Sequence, residues 1–209
     1  MFFVAKHVYL IKFPKISNKG LYINMFIQTD TTPNPASLKF LPGRVVMERG
    51  TADFRSVEEA NSSILAQNLF KIEGVEGVFF GSDFISITKS ENFDWQILKP
   101  SVLGAISVHY ESGASIIDKI ENIEKNSTVT KDSEIIVQIK ELLDTKVRPA
   151  VAMDGGDITF SDFKDGIVFL HMQGACSGCP SSTATLKAGI ENMLKHYLPE
   201  VQGVEPVMD

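Results

Sequence analysis

Apolar and polar positions alternate over residues 25–30 and again over 38–41, with Thr32-Pro33-Asn34-Pro35 between them. That pattern predicts two strands joined by a proline-rich turn. Pro42-Gly43 ends the second strand, and Val45-Val46-Met47 predicts the start of another. Ser56-Val57-Glu58-Glu59 has the spacing of a capping box and predicts a helix with Ala60, Ile64, Leu65 and Leu69 on its inner face. Strands over 75–80 and 84–88 follow, joined through Gly81-Ser82-Asp83, and then a helix over 95–111. Pro100 fits that helix only in its first turn or at a kink, because it lacks an N–H. Trp95 and Phe79-Phe80 read as core.

The periodicity then fails. Residues 112–131 are polar and weakly patterned, which predicts a linker with few contacts crossing it. Asp132 or Ser133 caps a new helix whose apolar stripe is Ile135, Ile136, Ile139, Leu142 and Leu143, closed by Arg148-Pro149. Residues 157–163 and 167–172 predict a hairpin around Asp165-Gly166, followed by a long helix over 180–198 and a short strand over 201–207. The expected fold class is α+β, in two small mixed domains, the second ordered α-β-β-α-β. The expected boundaries are a non-core extension at 1–24, a first domain at 25–111, a linker at 112–131 and a second domain at 132–209. No internal repeat is visible.

Composition narrows the function. A formal net charge of −6 and a pI near 5.3 argue against nucleic-acid binding, which favours a basic surface. No apolar run approaches the length that spans a bilayer. Residues 1–24 carry four lysines, no arginine and no acid. Their apolar stretch breaks at Lys12, which fits neither an export signal nor a clean amphipathic presequence.

The only two cysteines, Cys176 and Cys179, lie in Gly174-Ala175-Cys176-Ser177-Gly178-Cys179-Pro180. Two thiols at this spacing can grip one metal centre or exchange a disulfide. Pro180 at a helix start sets Cys179 beside the positive end of a dipole, so reactive thiolates are expected. Two thiolates leave a four-coordinate soft site half-filled. The four histidines, His7, His109, His171 and His196, show no ligand spacing. The simplest completion is a second copy of the chain, which brings the thiolates to the number that an iron–sulfur cluster takes. A dithiol–disulfide oxidoreductase is the alternative, and a zinc module with the same dimer requirement is a third reading.

At this point the motifs carry a resemblance. Val147-Arg148-Pro149, Asp154-Gly155-Gly156-Asp157, the cysteine loop through Ser182, Thr185-Leu186-Lys187-Ala188-Gly189-Ile190-Glu191 and Pro199-Glu200-Val201 resemble the NifU-like C-terminal domain. Met25-Phe26-Ile27-Gln28, Thr32-Pro33-Asn34-Pro35, Leu38-Lys39-Phe40-Leu41-Pro42-Gly43 and Gly74-Val75-Glu76-Gly77-Val78-Phe79-Phe80 resemble the Nfu N-terminal domain. The order resembles the Nfu-type iron–sulfur cluster scaffold and carrier proteins. Departures are the N-terminal extension and Gly104 within a predicted helix. The resemblance implies a non-enzymatic carrier, with Cys176 and Cys179 holding a [4Fe–4S] cluster, or a [2Fe–2S] cluster, shared between two chains. It implies a homodimer when cluster-bound, upstream cluster-assembly proteins as donors and apo iron–sulfur enzymes as clients. The compartment expected is the bacterial cytoplasm, with the mitochondrial matrix as the alternative.

Three further groups have plainer readings. Asp154-Gly155-Gly156-Asp157 is read as a turn entering a strand rather than a metal loop. His171 is read as structural rather than as a ligand, and Lys187 as a solvated lysine as readily as an offset to cluster charge.

Overall fold

A computed structural model describes residues 7–10, 25–117, 134–177 and 180–207. The fold is α+β, with two sheets. The first has the order β1-β2-β3-β6-β5-β4, built from His7–Leu10, Phe26–Thr31, Ser37–Leu41, Ile85–Lys89, Val75–Phe80 and Ala52–Phe54. Its neighbours all pair antiparallel. Helices α1 (Ile64–Phe70) and α2 (Trp95–Ser112) pack on one face. Ile27, Leu38, Phe40, Phe54, Val78, Phe80, Ile85 and Ile87 point to that side, meeting Leu65, Leu69, Val102, Leu103 and Ile106.

The second sheet has the order β7-β8-β9: Gly156–Lys164, Ile167–Gly174 and Gly203–Val207. The hairpin β7–β8 turns at Asp165 (φ 51) and Gly166 (φ 78), the left-handed pair that a two-residue hairpin loop requires. Helix α5 (Pro180–Tyr197) carries the chain back so that β9 runs parallel to β8. Helices α3 (Glu134–Leu142) and α4 (Arg148–Met153), joined by a π-helical turn at Leu143–Val147, complete the layer over Ile158, Val168, Leu170, Leu194 and Val204. The α-β-β-α-β order is the expected one.

Several local expectations change. His7–Leu10 lies in the stretch expected to stand outside the core, yet pairs with β2 as an edge strand, Val8 opposite Gln28. Val45-Val46-Met47 forms no strand. The Val46 and Met47 N–H groups both donate to the Ser82 carbonyl, and the next strand waits until Ala52. The helix expected from Ser56 begins instead at Ile64. Its cap is Ser63, whose hydroxyl accepts from the Ala66 N–H, and Glu59–Ser62 forms a 3₁₀ turn before it. Ile64 is 46% exposed rather than inward. Arg148-Pro149 opens α4 rather than closing a helix, because proline's missing N–H is harmless in a first turn. The expected linker lies largely outside the described residues. At its start, however, Ile116 and Ile117 pack on the first core, and the Ile116 carbonyl accepts from Ser63 Oγ.

The larger change concerns the second face of the first sheet. Lys39, Asp53, Phe79 and Ser86 alternate with core residues and so point away from α1 and α2. Solvent does not meet them there. The loops at the head of the second sheet do, so substantial contact crosses between units where little was expected. Lys39 is only 8% exposed; its Nζ donates to the Ala152 and Met153 carbonyls at 2.8 and 3.3 Å. A buried ammonium at the carbonyl end of a helix is favourably placed in the helix dipole.

Candidate metal centre

The site is built from two turns that lie side by side. The first is Asp154-Gly155-Gly156-Asp157, linking α4 to β7; the second is the loop that leaves β8 at Gly174. The Ala175 N–H donates to the Gly155 carbonyl at 3.2 Å, and the Cys176 and Ser177 N–H groups turn back on Gln173 and Gly174 at 3.4 and 3.1 Å. Thr183 at the start of α5 donates to the Cys176 carbonyl at 3.2 Å. The first turn is a structural turn, as expected, and its glycines are needed for contact. A Cβ on Gly156 would stand 2.5 Å from Cys176 Sγ. At Gly174 (φ +62) a Cβ would stand 2.8 Å from the Phe79 ring.

Asp157 fixes the first turn to the helix before it. Arg148 donates to both its carboxylate oxygens at 2.8 Å, a forked pairing that also takes in Asp144 at 3.0 Å. Asp157 is 4% exposed. It accepts from the Ile158 N–H and from Thr51 Oγ1, at 2.8 and 3.0 Å. The hydrogen bonds that it donates to Asp157, burial notwithstanding, hold the Arg148 guanidinium more firmly protonated than usual.

Cys176 is 5% exposed and belongs to the same apolar cluster as Ile158, Met172, Ile190 and Leu194. Burial, with Asp154 and Asp157 adding to it, pushes its thiol up to about 12. The expectation of a ready thiolate is therefore corrected for Cys176: the position reads as a small core residue in this conformation. Cys179 lies outside the described residues. Among the described residues no group of three or more His, Cys, Asp or Glu is placed to hold a metal ion. His171 sits on β8 in register with Thr159 and Val207. Lys187 reaches Glu205 on β9 at 2.8 Å rather than the loop.

Sequence reasoning missed the groups that hold this loop from the other side. Asp53 Oδ1 accepts from the Gly174 N–H at 3.3 Å. Burial raises the Asp53 carboxyl, while the Gly174 bond and Arg55 pull it down. Ser86 Oγ donates to the Gly155 carbonyl at 2.6 Å, and Asn34 Nδ2 to the Ser177 carbonyl at 3.2 Å. Burial pushes the Lys39 ammonium down, against Asp83, Asp30 and Asp154. The one available signal was the polar set Lys39, Asp53 and Ser86 on strands whose other face is fully apolar.

The fold and site define an α+β chain whose second sheet carries a cysteine loop between β8 and α5. Sequence comparison sharpens that class. The family described as Scaffold protein Nfu/NifU N terminal matches residues 27–113, and the NifU-like domain matches 139–205. NifU-like protein 4, mitochondrial, of Arabidopsis thaliana is 53% identical over 189 residues, covering 88% of this chain and 67% of its own. NFU1 iron-sulfur cluster scaffold homolog, mitochondrial, of Homo sapiens is 52% identical over 186 residues, covering 88% of this chain and 73% of its own. The solution structure of a NifU-like protein from Saccharomyces cerevisiae overlaps 52% of this chain and 99% of its own, at 26% identity and a TM-score of 0.43. The chain belongs to the Nfu/NifU family of scaffold proteins. These relatives are named mitochondrial, so the expected bacterial cytoplasm is without support, and the matrix alternative fits them.

Proposed function

We propose that this chain is an iron–sulfur cluster carrier of the mitochondrial matrix, not an enzyme. In this reading Cys176 and Cys179 of two chains together hold one [4Fe–4S] cluster, received from upstream assembly proteins and passed to apo iron–sulfur enzymes. Residues 25–111 and 132–209 act as separate domains joined by 112–131, a division supported by family matches at 27–113 and 139–205.

The observation that carries the reading is the poverty of soft ligands. The sequence has two cysteines, and the described residues offer no clustered His, Asp or Glu to supplement them. A cluster needs four such ligands, so a second chain is the economical source. A site completed only by association also suits a carrier, because separating the chains loosens the cargo. Burial, which pushes the Cys176 thiol up to about 12, weighs against Cys176 as the attacking thiolate of an oxidoreductase, since attack on a disulfide requires thiolate near neutral pH. Cluster binding meets that barrier differently, by displacing the proton with iron.

The test is anaerobic reconstitution with iron and sulfide, followed by iron analysis and sedimentation. One cluster per two chains, dimeric when loaded and monomeric after chelation, is the expected result. Cys176→Ser and Cys179→Ser should each abolish it, because a hydroxyl is a poor ligand for a soft centre. A monomer carrying four irons per chain, or a serine variant loaded to the wild-type level, would sink the assignment.

A further inference from the structure

The first sheet and its β2–β3 turn grip the cysteine loop on both flanks of Cys176. Asp53 holds the Gly174 N–H two residues before it, and Asn34 holds the Ser177 carbonyl one residue after it, at 3.3 and 3.2 Å. The adjacent turn, whose Gly156 forms the wall against Cys176 Sγ, is gripped as well. Ser86 donates to the Gly155 carbonyl at 2.6 Å, Thr51 donates to Asp157 at 3.0 Å, and Lys39 ties down the end of the preceding helix. Phe79, its ring tilted against that of Phe84, lies against Gly174 with no room for a side chain between them. The result is a thiol turned into its own core, with both backbone segments that enclose it fastened to another part of the chain.

A cluster shared by two chains needs that sulfur at a surface. Turning it out requires Cys176 to rotate away from Ile158 and Ile190 and the 174–177 backbone to move with it. We propose that the first sheet is a clamp that holds Cys176 inward, and that its release is the step that lets the loop accept a cluster together with a second chain. The clamp rests on the carrier function proposed above only for its second half; the inward hold on Cys176 stands on the geometry alone. Its chemistry suits a reversible latch. The ties through Ser86 and Asn34 are single hydrogen bonds between neutral polar groups, which water replaces at small net loss, and polar contacts between units of one chain permit relative motion.

Full-length, cluster-free protein is compared with Ser86→Ala, which removes the tie from β6 to the Gly155 carbonyl, and Asn34→Ala, which removes the tie from the β2–β3 turn to the Ser177 carbonyl, each leaving the loop's own residues unchanged. Retention of fold is checked by circular dichroism and thermal melting. The probe of the hold is iodoacetamide, with fragment-ion mass spectrometry assigning alkylation to Cys176. The loss of one tie should speed Cys176 alkylation about 5-fold, the factor that a typical net hydrogen bond represents. The double variant should be faster again. Cluster uptake from iron and sulfide should accelerate in the same order. Unchanged Cys176 alkylation in folded variants overturns the clamp. Faster alkylation with unchanged uptake overturns its role in loading. If wild type and variants alike take up no cluster, the carrier function fails, and alkylation alone still decides whether the clamp exists.

Discussion

The two cores of this molecule are built to different ends. The first, between one face of the six-stranded sheet and helices α1 and α2, is aromatic and closed: Phe40, Phe54 and Phe80 are buried there, with Phe54 and Phe80 edge-to-face at 5.5 Å. The second is aliphatic and includes Cys176 among its buried members. In the first core every inward position serves packing. In the second, one inward position belongs to a residue that the proposed function needs outside. In that proposed function the group is kept quiet by being part of a core, and the surrounding turns have to open to expose it.

The largest effect should come from the core that has no second duty. Phe80→Ala should cost about 3–5 kcal/mol in chemical denaturation, since the side chain is fully buried against Phe54. A loss under about 1 kcal/mol would mean that the first core is looser than its packing implies.

Arg148→Met tests the brace under the second core. It leaves the Asp157 carboxylate with Thr51 Oγ1 and the Ile158 N–H as its remaining partners. The expected loss is about 2–3 kcal/mol, below the full figure for a buried pair because Arg148 is partly exposed. Restoring the charge as Arg148→Lys should recover only part, because lysine cannot donate in a fork.

The third expectation follows from the buried thiol. In the cluster-free chain Cys176 titrates near 12, whereas the unfolded thiol titrates near 9.0. The unfolded state thus loses its proton first. This contribution is fully present below pH 9, and falls as pH rises toward 12. Between pH 8 and 10.5 wild type should lose about 2 kcal/mol more than Cys176→Ser, by linkage at about 1.4 kcal/mol per unit. Parallel urea titrations at the two pH values measure it. Equal losses in the two proteins would show that the thiol is not held protonated by the fold.

Much of the molecule was legible beforehand because local signals are strong where both pattern and turn chemistry agree. The β7–β8 hairpin announced itself through Asp165-Gly166, and the second unit's α-β-β-α-β order followed from short apolar runs bounded by breakers. Elsewhere local signals competed. Ser56 had the spacing of a capping box, but the chain caps at Ser63, since starting at Ile64 puts Leu65, Ala66 and Leu69 on the buried side. Val45-Val46-Met47 looked like a strand by composition, but the Val46 and Met47 N–H groups both donate to the Ser82 carbonyl instead of to a strand ladder.

What the sequence by itself determined is the inventory and its order: α+β architecture, one pair of thiols after a hairpin, and too few soft ligands within one chain. Those follow from residue identity, spacing and period, which are local quantities. Only the tertiary structure decided where Cys176 sits and what covers it. An alternating strand states that Lys39, Asp53, Phe79 and Ser86 share a face away from the first core. It does not state whether that face meets water or protein, because the partners, Gly155, Gly174 and the end of α4, lie some 70 to 120 residues further along the chain.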